Sequence, residues 1–121
     1  MKPLLAKDLD TFLKRFGYFR DGEFRHVEII SPTTISLTLA TQDEARAFDW
    51  VTITLEFNGV SDAVLLDNSK LNLVDMGDGI SIINENNLFH FGIGKCNNLS
   101  SIQTSTCQVV SSSLKYEEGL F

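Results

Sequence analysis

The stretch that most constrains the fold is residues 49–66, DWVTITLEFNGVSDAVLL. Apolar residues alternate with polar ones in its first half: Val51, Ile53, Leu55 and Phe57. This period of two places them on one face of a β-strand. Asn58-Gly59 follows, a pair that adopts the positive φ angles of a tight two-residue turn. The pattern predicts a β-hairpin whose return strand covers residues 60–66, and other elements must cover its apolar face because an isolated hairpin is marginally stable.

An amphipathic helix is predicted close to the N-terminus. Its apolar residues have the spacing i, i+3, i+4 and i+7: Leu9, Phe12, Leu13 and Phe16. Gly17 follows as a stop signal, and Lys14 and Arg15 lie in the last turn, where cations interact favourably with the helix dipole. A helix of about three turns does not persist alone in water. We therefore expect its apolar face to pack on the sheet.

Further strands are predicted on both sides of the hairpin. They cover residues 24–30, 34–40, 80–83, 88–93 and 105–113. Ser31-Pro32 separates the first two, and a turn at residues 84–87 joins the next two into a second hairpin. Gly92 and Gly94 indicate a bulge or the close approach of another backbone.

The remaining segments are predicted to be irregular. Residues 41–48 form a long loop or a single helical turn, residues 67–79 an irregular segment anchored by Leu71, Leu73 and Val74, residues 95–103 a polar loop and residues 115–121 a tail. With 121 residues, 43% of them hydrophobic and 21% charged, the chain fits one folded domain, residues 1–121. The predicted class is α+β, with one N-terminal helix packed on an antiparallel, mostly meander β-sheet of six to seven strands.

The charge of the chain is acidic and unevenly distributed. The formal net charge is −6, from 16 Asp and Glu against 10 Lys and Arg. Residues 1–50 have eight acids and seven bases, and residues 51–121 have eight acids and three bases, so the net charges are −1 and −5. Nucleic acids and anionic membranes attract Lys and Arg, so this charge disfavours both. It favours encounter with a basic protein, although it also keeps a domain in solution.

Neither a signal peptide nor a membrane span is predicted. Residues 1–16 lack both an apolar run of signal-peptide length and a small-residue cleavage pattern, and no stretch reaches about 18 consecutive apolar residues. We therefore expect a cytoplasmic protein. Cys96 and Cys107 are too few for a disulfide scaffold and are expected to be free thiols.

No catalytic, cofactor or metal site is predicted. His26 and His90 lie in predicted strands, outside any signature in which a histidine activates Cys96 or Cys107 as a nucleophile. The two cysteines are separated by eleven positions, unlike the close pairs of structural zinc sites. Residues 75–79 have glycine at two positions where a calcium-binding loop has oxygen ligands.

The candidate partner-binding residues are acidic side chains of the second half of the chain and one aromatic anchor. The acids fall in predicted turns and irregular segments, where side chains are exposed and binding residues concentrate. The set is Asp62, Asp67, Asp75, Asp78, Glu85 and Trp50. Phe48 is a further candidate anchor, because aromatic side chains often dominate binding energy. The alternative interpretation is solubilising charge scattered over the surface.

Short motifs in the first half of the chain resemble those of a known protein family. After the helix come Phe19-Arg20-Asp21-Gly22-Glu23, Val27-Glu28-Ile29, Ile35-Ser36-Leu37-Thr38-Leu39 and the strand TITLEFNGV. Over residues 9–66 this order resembles small bacterial immunity proteins of polymorphic-toxin systems and their relatives. Members often have Phe-His-Asp between the first helix and strand; Phe19 and Asp21 match, and Arg20 replaces the histidine. The resemblance implies an acidic intracellular protein that binds and neutralises a toxin.

Three functional hypotheses follow from these patterns. The leading one is a non-enzymatic protein-binding module of the immunity type, whose acidic segments contact a basic toxin domain. The first alternative is a self-associating structural protein, a homodimer joined through an exposed strand edge or through Leu120-Phe121. The second alternative is a small-molecule-binding protein with a cleft between helix and sheet.

Overall fold

The computed structural model describes residues 1–121 as a single antiparallel sheet with two short helices. The strands are β1 (Lys2–Pro3), β2 (Glu23–Ser31), β3 (Thr34–Asp43), β4 (Asp49–Val64), β5 (Ile80–Glu85), β6 (Leu88–Ile93) and β7 (Gln108–Leu120). The helices are α1 (Leu9–Arg15) and α2 (Leu99–Gln103), and 3₁₀ turns cover Ala6–Asp8, Gly17–Phe19, Glu44–Arg46 and Asn68–Leu73. The predicted α+β class, with an N-terminal helix and an antiparallel sheet, is confirmed.

The order of strands across the sheet is β2-β3-β4-β7-β6-β5, and β1 pairs with β7 on the side opposite β4. Most neighbouring strands are also consecutive along the chain, as a meander requires. The exceptions are the pairing of the short β1 with β7 and the pairing of β4 with β7, which places the last strand in the centre of the sheet. This long-range pair joins the β2-β3-β4 meander to the β5-β6-β7 meander.

The hairpin predicted for residues 49–66 is wrong, because β4 runs without a turn from Asp49 to Val64. Gly59 has φ +65°, but Asn58 keeps a negative φ, so the two positive values of a type I′ turn are not reached. The strand instead bulges by one residue between Val60 and Asp62, where its register with β7 shifts. Gly59 and the bulge bend β4, and the strand remains paired with β7 on both sides of the bend.

The tail predicted for residues 115–121 is also wrong, since β7 continues to Leu120. Its partner along this length is the first half of β4, from Val51 paired with Leu120 to Phe57 paired with Leu114. Tyr116 lies on the face that α1 covers, with its ring 4.8 Å from that of Phe12. The charged residues around Tyr116 conceal this strand in the sequence, because the expected alternation of apolar residues is incomplete.

Helix α1 covers one face of the sheet with the side chains that its periodicity predicts. Leu9, Phe12, Leu13 and Phe16 are all buried. The chain then reverses direction through three successive positive φ angles at Gly17, Tyr18 and Phe19. This turn buries Phe19 beside Phe16, with ring centroids 5.7 Å apart. The helix and turn belong to a single cluster of 24 buried residues, so the chain has one core.

The second predicted hairpin is confirmed as β5 and β6. Asn86 and Asn87 form its two-residue loop with φ 55° and 61°, the conformation that matches the twist of the strands. Gly92 packs against α2: a Cβ there would lie 3.3 Å from Ile102 Cγ1 and 3.5 Å from the Ile102 Cα. That helix lies within the predicted polar loop, and its N-cap is Asn98, whose Oδ1 accepts the Ser101 N–H at 2.9 Å. Neither helix has the length and apolar character needed to cross a membrane.

Candidate protein-binding surface

The connection between β4 and β5, residues 65–79, is held firmly although it has little regular structure. Leu71 and Met76 are buried in the core, and the carbonyl of Met76 accepts the backbone N–H of Asp21 at 2.7 Å. The predicted anchor Leu73 is instead 78% exposed. The connection is thus a fixed surface with an apolar side chain directed to solvent.

Asn68 fixes the connection to the free edge of β2. Its side-chain Oδ1 accepts the backbone N–H of Val27 at 2.8 Å, and its Nδ2 donates to the carbonyl of Val27 at 2.9 Å. The amide therefore forms the two bonds that a neighbouring strand would form. An edge strand with unpaired backbone groups is a site for unwanted strand addition, and Asn68 blocks it at this position.

Replacing Asn68 with alanine is expected to lower the free energy of unfolding by about 1–2 kcal/mol, because two backbone groups of Val27 lose their partners. Chemical denaturation measures this loss, and hydrogen exchange should show faster exchange of the Val27 amide. Asn72→Ala is the matched control, since Asn72 lies exposed in the same connection without a hydrogen bond. Equal losses in the two variants, with unchanged protection of the Val27 amide, would contradict the role given to Asn68.

Three grooves surround this connection. The first has a volume of 360 Å³ and is lined by Leu66, Lys70, Leu73, Val74, Asp75, Ile93 and Thr106. The second, also 360 Å³, is lined by Val27, Ile29, Leu65, Leu66, Asp67 and Asn68, and the third, 440 Å³, includes Glu23, Leu71, Val74 and Met76. Leu66 lines the first two grooves and Val74 lines the first and third. The grooves are therefore parts of one surface, which is mainly apolar at the first groove and of mixed polarity at the second. Each groove has at least one charged residue in its lining.

Only some of the predicted partner-binding residues lie on this surface. Asp67, Asp75 and Asp78 lie on the connection, at the end of the sheet where β4 ends and β5 begins. Asp62 lies within β4, directly after the bulge. Glu85 lies at the far end of the β5-β6 hairpin, beside its two-residue loop.

Trp50 lies far from the acidic residues. It is the second residue of β4, twelve positions before Asp62 on the same continuous strand, a separation of about 40 Å for an extended chain. The fold therefore separates the predicted partner-binding residues into two groups. The acids of the connection share one surface, and Trp50 belongs to the opposite end of the sheet.

The acidic residues of this region are free to meet a partner. Residues 62–85 contain five acids and one base, Lys70, a net charge of −4. The five acids, Asp62, Asp67, Asp75, Asp78 and Glu85, form no ion pair within the chain. Their only side-chain hydrogen bond is local: Asp75 Oδ1 accepts the N–H of Gly77 at 2.8 Å. The charge of the surface is therefore not neutralised by the protein itself.

Burial disfavours the thiolate form of both cysteines. Cys107 is fully buried in the core, and burial raises the pKa of its thiol to about 11, so that it is protonated at neutral pH. Burial also raises the pKa of Cys96, whose Sγ donates to the carbonyl of Ile93 at 3.9 Å. Neither cysteine has a histidine as a hydrogen-bond partner. No group of three His, Cys, Asp or Glu side chains has the arrangement of a metal site.

Apolar residues of the grooves are the part of this surface that the sequence analysis missed. Ile29 and Leu73 are exposed, and both line grooves next to an acidic residue. The consecutive pair Ile29-Ile30 in an alternating strand was the available signal, because alternation places the two side chains on opposite faces of the strand, and both are exposed. Nothing in the sequence around Leu73 distinguishes it from a buried anchor.

Comparison with protein-family models, with curated proteins and with solved structures gave no significant match. The resemblance of residues 9–66 to immunity-type proteins therefore stays a prediction, and the functional argument depends on the surface itself.

Proposed function

We propose that this chain is a non-enzymatic protein-binding module whose partner docks on the β4–β5 connection. The observation that supports the proposal is the combination of apolar grooves with acids that have no ion pair on one firmly held segment. Specific interfaces combine an apolar centre with a polar rim, and the first groove, with Leu66, Leu73 and Val74 beside Lys70 and Asp75, has this composition. Charged rims accelerate encounter, while apolar anchors supply most of the affinity.

The acidic charge and the apolar groove of this surface favour a basic partner that has apolar anchor residues. The connection has a net charge of −2, from Asp67, Asp75 and Asp78 against Lys70, which attracts Lys and Arg. The first groove accommodates a side chain between Leu66, Leu73 and Ile93. A toxin domain is the partner class that the immunity-type resemblance supports, which would place the complex in the cytoplasm. The small-molecule alternative stays a prediction, because no observation on the grooves favours it over a protein.

The test is a titration of this chain with the protein encoded by the adjacent gene, where the immunity-type resemblance predicts a toxin domain, with association followed by stopped flow. In the variant D67N/D75N/D78N we expect the association rate constant to fall about tenfold or more at low salt, because the attractive field is reduced. The matched control D10N/E28Q/E117Q removes the same charge from exposed positions outside the grooves and the salt bridges. It should change the rate constant by less than about threefold.

A second variant tests the apolar contacts of the grooves independently of the charge. Leu73→Ser should accelerate dissociation about tenfold with little change in the association rate, because it removes an apolar contact and leaves the charge intact. Absence of binding by the unmodified protein would overturn the proposal. Equal losses in the two charge variants would also overturn it, since net charge alone would then explain the effect.

A further inference from the structure

The free edge of β2 has a second position at which the backbone is directed to a partner. Asn68 bonds to the N–H and to the carbonyl of Val27, so these two groups point away from β3. The direction of the backbone groups alternates along an antiparallel strand, and the register of β2 with β3 is regular from His26 to Ile29. The N–H and the carbonyl of Ile29 therefore also point to the free edge.

The backbone of Ile29 has no partner on that side. Strand β2 is the last strand of the sheet, and no backbone hydrogen bond outside the strand ladders involves Ile29. The residue is 67% exposed. Unpaired groups on an edge strand bind another backbone in an extended conformation. Ile29 can therefore exchange two hydrogen bonds with one extended residue of another chain.

The second groove opens beside Ile29. Its volume is 360 Å³, and its lining includes Val27, Ile29, Leu65, Leu66 and Asp67. Residues that lie directly opposite each other in an antiparallel pair have their side chains on the same face of the sheet. A residue paired with Ile29 would therefore direct its side chain to the face on which Val27 and Ile29 line the groove.

The lining of the groove favours a long basic side chain. Leu65 and Leu66 are half-buried and offer apolar contacts, whereas Asp67 is exposed and forms no ion pair. Lys and Arg place their methylene stem along apolar surface and keep the charged end in water. The stem would contact the two leucines, and the charge would approach the carboxylate of Asp67. A purely apolar side chain would instead desolvate this carboxylate without a partner.

We infer that one Lys or Arg of the partner binds in the second groove, with its backbone paired to Ile29 and its charge beside Asp67. The inference rests on the proposed function, because it names the partner residue that the same surface recognises. The partner then extends the sheet beyond β2 by a short segment, and the specificity comes from the groove.

Asn68 limits the length of this segment and excludes a second copy of β2 as the occupant. If two copies of β2 paired about Ile29, Ser31 of one copy would lie opposite Val27 of the other. Asn68 already occupies that place with both hydrogen bonds. The partner segment therefore ends or turns beside Asn68, as a chain terminus or a hairpin loop does.

An NMR titration of the isotope-labelled full chain with the capped tripeptide acetyl-VRV-amide tests the inference without the natural partner. The valines of the peptide favour an extended conformation, and its length fits the edge beside Asn68. We expect a saturable shift of the Ile29 amide resonance and slower hydrogen exchange of this amide. The same peptide with citrulline in place of arginine has no charge and should bind about threefold more weakly.

Substitutions in the protein test the backbone contact and the charge separately. Ile29→Pro removes the N–H, and proline is tolerated on an edge strand whose N–H faces solvent. This variant should bind the VRV peptide about fivefold more weakly than Ile29→Thr, which keeps the N–H. Asp67→Asn should weaken binding about threefold, and the matched control Asp10→Asn, at an exposed position of α1, should leave it unchanged. Circular dichroism checks that each variant is folded.

The outcomes distinguish this inference from the proposed function. Equal binding of the arginine and citrulline peptides, or equal binding of VRV by I29P and I29T, would overturn the inference even if the protein from the adjacent gene binds the connection. Absence of VRV binding would also overturn it. VRV binding that depends on Ile29 and Asp67 would support it even if that protein does not bind. The citrulline peptide and Asp67→Asn test the groove if I29P does not fold.

Discussion

Replacing Arg15 with methionine is expected to lower the free energy of unfolding by about 3–5 kcal/mol. Arg15 Nε and Nη2 donate to Asp43 Oδ1 and Oδ2 at 2.9 and 2.8 Å, and Nη2 also donates to Glu118 Oε1. The carboxylate of Asp43 is completely buried, so the substitution leaves a buried charge without its main partner. Arg46, 3.8 Å from Asp43, compensates in part, so we expect the lower half of the range.

The loss should depend on pH. Hydrogen bonds from Arg15 lower the pKa of Asp43 below its ordinary value, against the opposing effect of burial, and the N–H of Ala45 lowers it further. A carboxylate with a lowered pKa in the folded state stabilises the protein above the pKa of the unfolded state, about 4, and loses this contribution as the pH falls through the folded-state value. The difference between the unmodified protein and R15M should therefore be largest near neutral pH. It should decrease in acid as Asp43 is protonated, first in folded R15M, where burial is no longer opposed by Arg15, and then in the folded unmodified protein.

Urea denaturation at a series of pH values measures both effects. Lys14→Met is the matched control, because Lys14 is the adjacent exposed cation of α1 and has no ion pair. It should change the free energy of unfolding by less than about 0.5 kcal/mol. Similar losses in R15M and K14M, or a difference that does not decrease in acid, would show that Asp43 is not stabilised by this pair.

Gly79→Ala is expected to lower the free energy of unfolding by about 3 kcal/mol or more. Gly79 has φ +70°, and a Cβ at this position would overlap the carbonyl oxygen of Tyr18 and lie 2.8 Å from the nitrogen of Arg20. Both neighbours are backbone atoms, which cannot move aside as a flexible side chain can. The carbonyl of Gly79 also accepts the Gly94 N–H at 2.8 Å, so a shift of the glycine would disturb the start of the β5-β6 hairpin.

Gly17→Ala is the matched control for this substitution. Gly17 has a similar φ, +58°, but a Cβ there would meet no atom within 4 Å. Its cost should be the left-handed conformation alone, about 1–2 kcal/mol. The excess loss in G79A therefore measures how closely the chain at Tyr18 approaches β5. Equal losses in the two alanine variants, measured by thermal or urea unfolding, would mean that the segment is not packed there.

Local patterns were sufficient for the elements that depend on nearby residues. The i, i+3, i+4 spacing of α1 and the Asn86-Asn87 turn of the β5-β6 hairpin both act over a few positions, and the structure confirms both. Helix α2, with five residues, was too short for a periodic signal. For the candidate surface, the sequence identified the acids of the connection, because charge and turn residues are visible in any segment. It did not identify the grooves, which depend on how residues 65–79 pack against β2.

The sequence by itself determined the α+β class, the apolar face of α1, the second hairpin and the acidic character of the second half. Only the tertiary structure decided that β4 passes through Asn58-Gly59, that β7 lies in the centre of the sheet, and that Trp50 is remote from the acids. The physical reason is the range of the interactions. The turn preference of Asn58-Gly59 contributes little free energy compared with the twelve paired positions between β4 and β7. No local sequence pattern identifies a strand partner more than forty residues away.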